Sequence, residues 1–536
     1  MKKNQTNGYA EVNSKNVVNE KGIKTDEYEE VDAIQEALGG LGRWQIIVCL
    51  AISLVKFPVA WHQLAIVFMA PQNQKFNCTG PARTPAKDQC IVSVNGTHTD
   101  CEEWEFDRSI FPETIISQWS LVCNRAHYAN IQQSILMFGI LIGNITFGTM
   151  ADRYGRKIPL MISVVLQLAS GIGCAIVPWF PALLFLKLLS AMATGGTMVT
   201  SYVICMEIVG TKYRAAITVL YQIPFSLGHM SLAGIGYYFR HWQHLQMAIT
   251  FPSIILLGYW WVVPESPRWL LAVGRQKAAC TVLKRAAKVN KIENKDIPDL
   301  VRKHYLHQNS RKTASDHSAT FIDLIRTPNM RIKSLAIFFN WLVCGMGLFG
   351  MSQYIGQVGG NIFVNVAVSG LTQIPGNFVA WWAMNKLGRK ITLIISNITA
   401  GISALLLITT PQNAEWLRLI FACFGIVGMS VSFTTVYLFS GELFPTVVRN
   451  IGVGTSSMCA RLGSMVAPFV VSLSIVKTWL PPTLFGIMPL LGAALALLLP
   501  ETNGCTLPET LQDGENFGKE NKKNSINKDA EVEASL

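Results

Sequence analysis

Charge is scarce in this sequence. Asp, Glu, Lys and Arg make up 15% of its 536 residues, against about 25% in soluble globular chains. Acids are the scarcer sign, 33 Asp and Glu against 45 Lys and Arg, and none lies deep in an apolar run. Catalytic signatures are missing too. There is no His-Glu-x-x-His, no nucleophile elbow and no Gly-Lys-Ser/Thr phosphate loop. An enzyme reading has no residue support, no cofactor or metal is implied, and the chain cannot itself use ATP as fuel. A cleavable signal peptide is also absent. The first forty residues are polar and end in Gly39–Gly40, so the apolar run after Trp44 is expected to serve as its own insertion signal.

What is present is hydrophobic length. Half of the residues are hydrophobic, in runs that reach the roughly 20 residues a helix needs to cross a bilayer. Lipid offers the backbone no hydrogen bonds, so such runs have to be helices. Twelve spans are read, at about 44–69, 128–150, 158–178, 182–206, 215–237, 244–263, 332–353, 360–384, 391–410, 416–438, 451–476 and 483–499. The expected fold class is an all-α membrane protein with a tail 1–43 and a six-helix half 44–263 carrying loop 70–127. A linker 264–331, a second half 332–499 and a tail 500–536 follow, with 1–38 and 505–536 expected to lack fixed structure.

The net charge of +12 is no sign of nucleic acid, because the basic residues gather between the apolar runs. The linker carries Arg268, Arg275, Lys277, Lys284, Arg285 and Lys288, and the short turns Arg153–Lys157 and Lys386–Lys390 agree with it. By the positive-inside rule these segments and both termini are cytoplasmic, and loop 70–127 is extracellular. Lys277–Ala287 reads as an amphipathic helix under the first half. Four of the twelve cysteines, Cys78, Cys90, Cys101 and Cys123, share loop 70–127 with the sequons at Asn77 and Asn95. Together they point to an oxidising, glycosylated face. Four cysteines allow three pairings, and nothing in the spacing chooses among them.

The chain repeats itself. Asp152-Arg-Tyr-Gly-Arg-Lys157 returns as Asn385-Lys-Leu-Gly-Arg-Lys390, 233 residues later. Glu207 and Arg214 return as Glu442 and Arg449, 235 residues later, and Pro264-Glu-Ser266 as Pro500-Glu-Thr502, 236 residues later. Three landmarks in one order imply parallel six-helix halves, the plan of major facilitator transporters. Asp152, Arg156, Glu207, Arg214, Arg389, Glu442 and Arg449 are then candidates for a charge network that latches the cytoplasmic side. Gly148 and Gly155 would allow close helix approach and a tight turn, and Asp152 would pair with a basic residue across the interface. The plainer alternative is a basic turn that only sets topology.

Within the spans, Arg461 falls near the bilayer midplane, where an ionisable residue is a functional candidate. A guanidinium fits a carboxylate bidentately; a structural arginine held by carbonyls is the alternative. Lys56 could add positive charge to a cavity or pair within the bundle. Lys187 and Arg418 read as external-side anchors and His229 as a satisfied interior histidine. With no acid in the spans, a cationic group would rest on aromatic faces such as Tyr202, Tyr221, Trp341, Tyr354, Phe433 and Tyr437. Gln222 and Gln353 are polar candidates.

Gly148-Thr-Met-Ala-Asp-Arg-Tyr-Gly-Arg-Lys157 resembles the major facilitator signature loop. Pro264-Glu-Ser-Pro-Arg-Trp269, the cysteine-bearing first loop and Glu442-Leu-Phe-Pro-Thr-Val-Val-Arg-Asn450 resemble the organic cation, anion and zwitterion transporters, solute carrier family 22, from Leu41 to Gly504. Arg449-Asn-Ile-Gly-Val-Gly454, Ala460-Arg-Leu-Gly463 and Gly360-Asn-Ile-Phe-Val-Asn365 look most like the carnitine and zwitterion branch, although Thr197-Met198 stands where that branch carries Asn-Tyr. The resemblance implies a substrate site at Arg461, Tyr202, Thr434, Tyr437, Tyr354, Lys56 and Gln222. It implies a multi-pass plasma-membrane carrier in the lipid bilayer. Its partner would be a small organic cation or zwitterion, a carnitine-like betaine, amino-acid derivative or amine conjugate. Flux would be facilitated, exchanged, or coupled to Na+ or H+. An organic-anion exchanger using Arg461 and Lys56, and a non-transporting receptor or scaffold, remain as alternatives; oligomeric state is open.

Overall fold

Every apolar run of the sequence becomes helix. A computed structural model describes residues 41–302 and 320–518, apart from 73, 80–89, 95, 96, 102, 211, 212, 293–295, 412, 506, 507 and 509. The Asn95 sequon lies outside the described residues. Ten helices among those described are long and apolar enough to cross a membrane. They are α1 Arg43–Met69, α2 His127–Tyr154, α3 Lys157–Ile176, α4 Phe180–Ile208 and α6 Trp242–Val262, then α9 Pro328–Tyr354, α10 Ile362–Lys386, α11 Arg389–Thr409, α12 Glu415–Leu443 and α13 Arg449–Ser472. Helix α5, Arg214–Tyr238, has span length but falls outside those ten, and α14, Leu480–Ala496, is apolar but shorter. Between α6 and α9 lie α7 Pro267–Ala272 and α8 Gln276–Asn290, and α15 Leu511–Asn516 follows α14.

Local chemistry explains the irregularities. The sixth span is not one α-helix: Phe251–Gly258 is wound as a 3-10 segment that begins beside Pro252, a residue without an N–H for the α-helical ladder. Helix α8 is amphipathic as expected. It buries Ala279, Leu283, Ala286 and Ala287, and the Asn290 side chain accepts from the Trp44 amide (2.8 Å) and donates to Gln45 (2.9 Å), tying it to the start of α1. The tail after 505 departs from expectation. Helix α15 is folded, capped by Thr510, and docked under α9. The Glu515 carboxylate accepts from the amides of Asn329 and Met330, and buried Lys333 Nζ donates to the carbonyls of Gly514 (2.8 Å) and Phe517 (2.7 Å). A buried ammonium needs such acceptors, which orders the strap.

Packing follows the repeat. Helix α2 lies against α4, as α10 does against α12; α3 against α4, as α11 against α12. Helix α1 lies against α5, as α9 does against α13; α3 against α6, as α11 against α14. Between these two sets, α5 runs along α10 and α2 along α13. At the first of these seams a Cβ on Gly370 would stand 2.5 Å from the Met230 amide, so only glycine admits this approach. The same seam holds His229, whose ring meets Gln373 (2.9 Å) and Ser369 (3.3 Å), the satisfied interior histidine expected.

The loop after α1 forms two antiparallel ladders, β1 Phe76–Cys78 with β4 Trp104–Phe106 and β2 Ile91–Val94 with β3 Thr97–Asp100. Disulfides join Cys78 to Cys101 and Cys90 to Cys123, one of the three pairings open in sequence. The loop rests on the first set of helices through Trp242, which packs at a tilt against Trp119 (ring centres 5.5 Å apart) and donates to Gln118 (2.6 Å). On this face the two sets also meet directly: Phe68 stacks on Phe363, and Gln357 donates to Gln72 (2.9 Å).

Candidate functional site

Two groupings of side chains stand out, one midway along the helices and one at the linker face. In the first, Lys56 of α1 and Arg461 of α13 are 4% and 5% exposed. The ammonium of Lys56 sits 4.4 Å over the ring of Tyr221 and 3.5 Å from the side-chain Oε1 of Gln222, and it feels the charge of Arg461. Arg461 lies within electrostatic reach of Tyr437, and its buried Nε has no hydrogen-bond partner. A Cβ on Gly463 would stand 2.1 Å from the Leu342 carbonyl, and one on Gly345 2.0 Å from the Ala460 carbonyl, so α13 sits close on α9 on both sides of Arg461.

Aromatic rings link the two sets of helices. Tyr221 and Tyr202 lie 5.7 Å apart, Tyr202 and Tyr437 6.3 Å, and Tyr437 and Trp341 4.5 Å, with Phe433 5.7 Å from both of the last two. Hydroxyls and the indole are tied back: Tyr221 to Ser201 (2.5 Å), Tyr202 to Thr218 (3.4 Å), Trp341 to Ser440 (3.0 Å). Such ties fix the ring planes, which suits them to present π faces to a cation. Among the sequence candidates, Lys56, Gln222, Tyr202, Tyr437 and Arg461 thus share one region. Tyr354 and Thr434 make their contacts elsewhere. Tyr354 is at the loop-face end of α9, bonded to Arg418 of α12 and buried in a different apolar cluster. The Thr434 hydroxyl donates to the Ser430 carbonyl one turn back (3.1 Å).

At the linker face each set of helices carries its own arginine–glutamate pair. Arg156 forks onto Glu207 (2.9 Å from Nη2, 3.1 and 3.2 Å from Nε), and it also reaches the Ala151 carbonyl. Arg389 reaches Glu442 (2.9 Å), the Met384 carbonyl and Asn503. Beneath each arginine a carboxylate caps the next helix. Glu265 accepts from the amides of Arg156 (2.8 Å) and Lys157 (3.3 Å), and Glu501 from those of Arg389 (2.8 Å) and Lys390 (3.0 Å). A carboxylate on exposed helical N–H groups is favourable twice, by hydrogen bonding and by the helix dipole. The turns need Gly155 (φ +98°) and Gly388 (φ +90°), where a Cβ would also strike Glu265 and Glu501 at 2.4 and 2.6 Å.

These contacts correct two expectations. Asp152, in the last turn of α2, pairs with Arg156 just past the Gly155 turn (3.2 Å), with its side chain 79% exposed, and not with a base across the interface. Gly148 makes no close helix contact, since a Cβ there would meet only Val199, at 4.0 Å. Arg449 caps the α12 end through the Phe444 carbonyl (3.2 Å) beside Glu442. Arg268 donates to the Glu207 carbonyl (3.0 Å). Glu265 and Glu501 had no role in the sequence reading, although their recurrence inside Pro264-Glu-Ser and Pro500-Glu-Thr was the signal for one.

Comparison with known proteins now bears on this geometry. The family model described as sugar (and other) transporter matches residues 48–513. The chain belongs to that family. Within it the chain falls among the organic cation transporters of the solute carrier 22 type. An organic cation transporter protein of Drosophila melanogaster is 35% identical over 525 residues, covering 91% of this chain and 95% of the relative. Mouse solute carrier family 22 member 3 is 33% identical over 531 residues, covering 90% and 94%. The inward-open structure of the xylose transporter XylE from E. coli matches with a TM-score of 0.63 at 17% identity, over 88% of this chain and 99% of that one, and shows the shared major facilitator fold. The transporter is therefore a multi-pass secondary carrier that acts on a small molecule within the bilayer, in a family that is not catalytic.

Proposed function

We propose that this transporter moves small organic zwitterions, and the cations related to them, across the plasma membrane by alternating access. The observation that carries the proposal is Arg461: buried, with an unspent Nε donor, on the edge of an aromatic cluster that joins both sets of helices. A substrate carboxylate satisfies the guanidinium in two parallel bonds. Its ammonium, quaternary or not, rests on the faces of Tyr202, Tyr437 and Trp341. A cation without a carboxylate would enter beside two positive groups, Lys56 and Arg461, so the zwitterion is the better fit. The likeness of Arg449–Gly454 and Ala460–Gly463 to the carnitine branch supports the same reading.

Twelve spans in two six-helix halves, 44–263 and 332–499, go with this proposal, with α5 and α14 counted as spans because they complete the recurring packing pairs. The loop with the disulfides then faces outside and the linker and both termini face the cytoplasm. Asn77, exposed on β1, is then available for glycosylation. The inner latches Arg156–Glu207 and Arg389–Glu442 hold helix ends within each half, and the halves rock against each other along the α5–α10 and α2–α13 seams.

Uptake by voltage-clamped cells of a betaine, its decarboxylated amine and a dicarboxylate of similar size tests the proposal. Preference for the betaine is expected. One observation favours a second reading: Lys56 and Arg461 are two buried cations at one site, which suits an organic-anion exchanger. Uptake of the dicarboxylate alone, trans-stimulated by internal dicarboxylate, would decide for it. Saturable binding without flux of any of the three would make the protein a receptor.

A further inference from the structure

The start of α1 and the end of α8 meet at one point. A Cβ on Gly42 would stand 2.4 Å from the Asn290 side chain, and Asn290 also holds Trp44 and Gln45. Two stretches of opposite charge leave from this place. Along α8 and its C-cap, Lys277, Lys284, Arg285, Lys288 and Lys291 are all exposed, and no acid lies between Gln276 and Lys291. These side chains stand opposite the stripe of Ala279, Leu283, Ala286 and Ala287 that α8 buries. None of them has an acidic partner among the described residues. Lys284 and Arg285 each lie one turn from Lys288, so the helix carries like-charge repulsion that no group on it relieves.

Acid is concentrated in the chain just ahead of α1. Asp26, Glu27, Glu29, Glu30, Asp32 and Glu36 precede Gly42, with no Lys or Arg between Asp26 and Gly42. The 15 residues of α8 make it about 22 Å long at the usual helical rise. Fully extended, the chain from Gly42 back to Glu36 reaches about 20 Å and back to Asp26 about 55 Å, so the acidic run can lie anywhere along the basic face. A tether this short keeps the acids at an effective concentration in the millimolar range, which favours them over a free acidic partner. Anionic lipid headgroups are a poorer match. A helix that lies on a membrane also offers an apolar face, and α8 has buried its own, leaving Val289 as its one exposed large apolar side chain.

We propose that the basic face of α8 is the docking surface for the acidic segment 26–36 of the same chain, an electrostatic clasp that fixes the entrance to α1. The test couples carboxylates to lysines with a zero-length carbodiimide in the purified full-length protein, and mass spectrometry of the peptides reads which pairs form. In detergent at about 50 mM NaCl, segment 26–36 should couple to Lys284 and Lys288 at least about tenfold more than to Lys386, an exposed lysine at the same linker face. Raising NaCl to about 500 mM shortens the screening length to about 4 Å and should cut the yield at least about fivefold. Arg285→Glu combined with Lys288→Glu, both at exposed positions, should lower coupling at Lys284 at least about fivefold. Coupling to Lys386 at the same level, coupling that survives the high salt, or coupling at Lys284 unchanged by the double substitution would each overturn the proposal. So would coupling that is kept in phosphatidylcholine nanodiscs and lost in phosphatidylserine ones, because the basic face then belongs to lipid.

Discussion

Replacing Arg461 by Gln probes the substrate reading most directly. The guanidinium is 5% exposed and its Nε is unpaired, so a bound carboxylate supplies the missing acceptor. A charge-assisted hydrogen bond contributes about 1.5–3 kcal/mol, and a bidentate pair offset by desolvation about 3–4 kcal/mol. Glutamine retains one neutral donor. A loss of about 2–3 kcal/mol is therefore expected for a carboxylate substrate, or roughly 30–150-fold in apparent KM. An analogue with the same ammonium but no carboxylate loses nothing, because the substitution removes a repelling charge from its path. The assay is competition by the matched pair against a common tracer, with surface protein quantified by biotinylation. Equal losses for both members, at normal surface levels, would mean that Arg461 only braces α13 against α9, and the carboxylate assignment would fail.

Lys56→Met should weaken anionic and zwitterionic substrates about 3–10-fold by removing the second positive charge and its contact with Tyr221, read as KM in the same competition. Tyr354→Phe, at the loop-face end of α9, is expected to leave substrate selectivity unchanged, read as the ratio of zwitterion to cation uptake. Glu207→Gln leaves Arg156, its side chain 10% exposed, without its forked partner. A destabilisation of about 1–3 kcal/mol should appear as a lower Tm, and Glu442→Gln should match it if the two latches are equivalent. Gly388→Ala forces a side chain into φ +90° against Glu501; a loss of about 1–2 kcal/mol is expected, and Tm again reads it. Mass mapping of non-reduced peptides should find Cys78 with Cys101 and Cys90 with Cys123, while any other connectivity contradicts the loop fold.

Fold and site differed in how legible they were. The spans could be read because lipid leaves a long apolar run no alternative to helix. Span boundaries agreed with the helices to within about a turn, as at His127–Tyr154 for the run 128–150. Departures from the expected elements have local causes, such as Pro252 inside the sixth span and the carbonyl acceptors that Lys333 demands from the segment around α15. Site residues were harder. Tyr354 and Tyr437 look alike in sequence, each an aromatic late in its span, yet one meets Arg418 and the other Tyr202 and Trp341. Helix rotation and depth separate them, and neither is visible in a list of residues.

The class of the protein, its apolar helices, its internal repeat and the charged residues at its linker-face turns were legible in the sequence. Hydrophobic length and short-range spacing carry that information, and both survive unfolding. Only the tertiary structure decided which residues meet. It gave Asp152 to Arg156 across the Gly155 turn, and put Glu265 and Glu501 on the amides that follow their glycine turns. It paired the four loop cysteines, and it enclosed Lys187 beside His62 and Gln63, groups more than a hundred residues apart in the chain. Such contacts depend on how helices rotate and pack, which is set by close-approach glycines and side-chain volumes distributed over the whole chain.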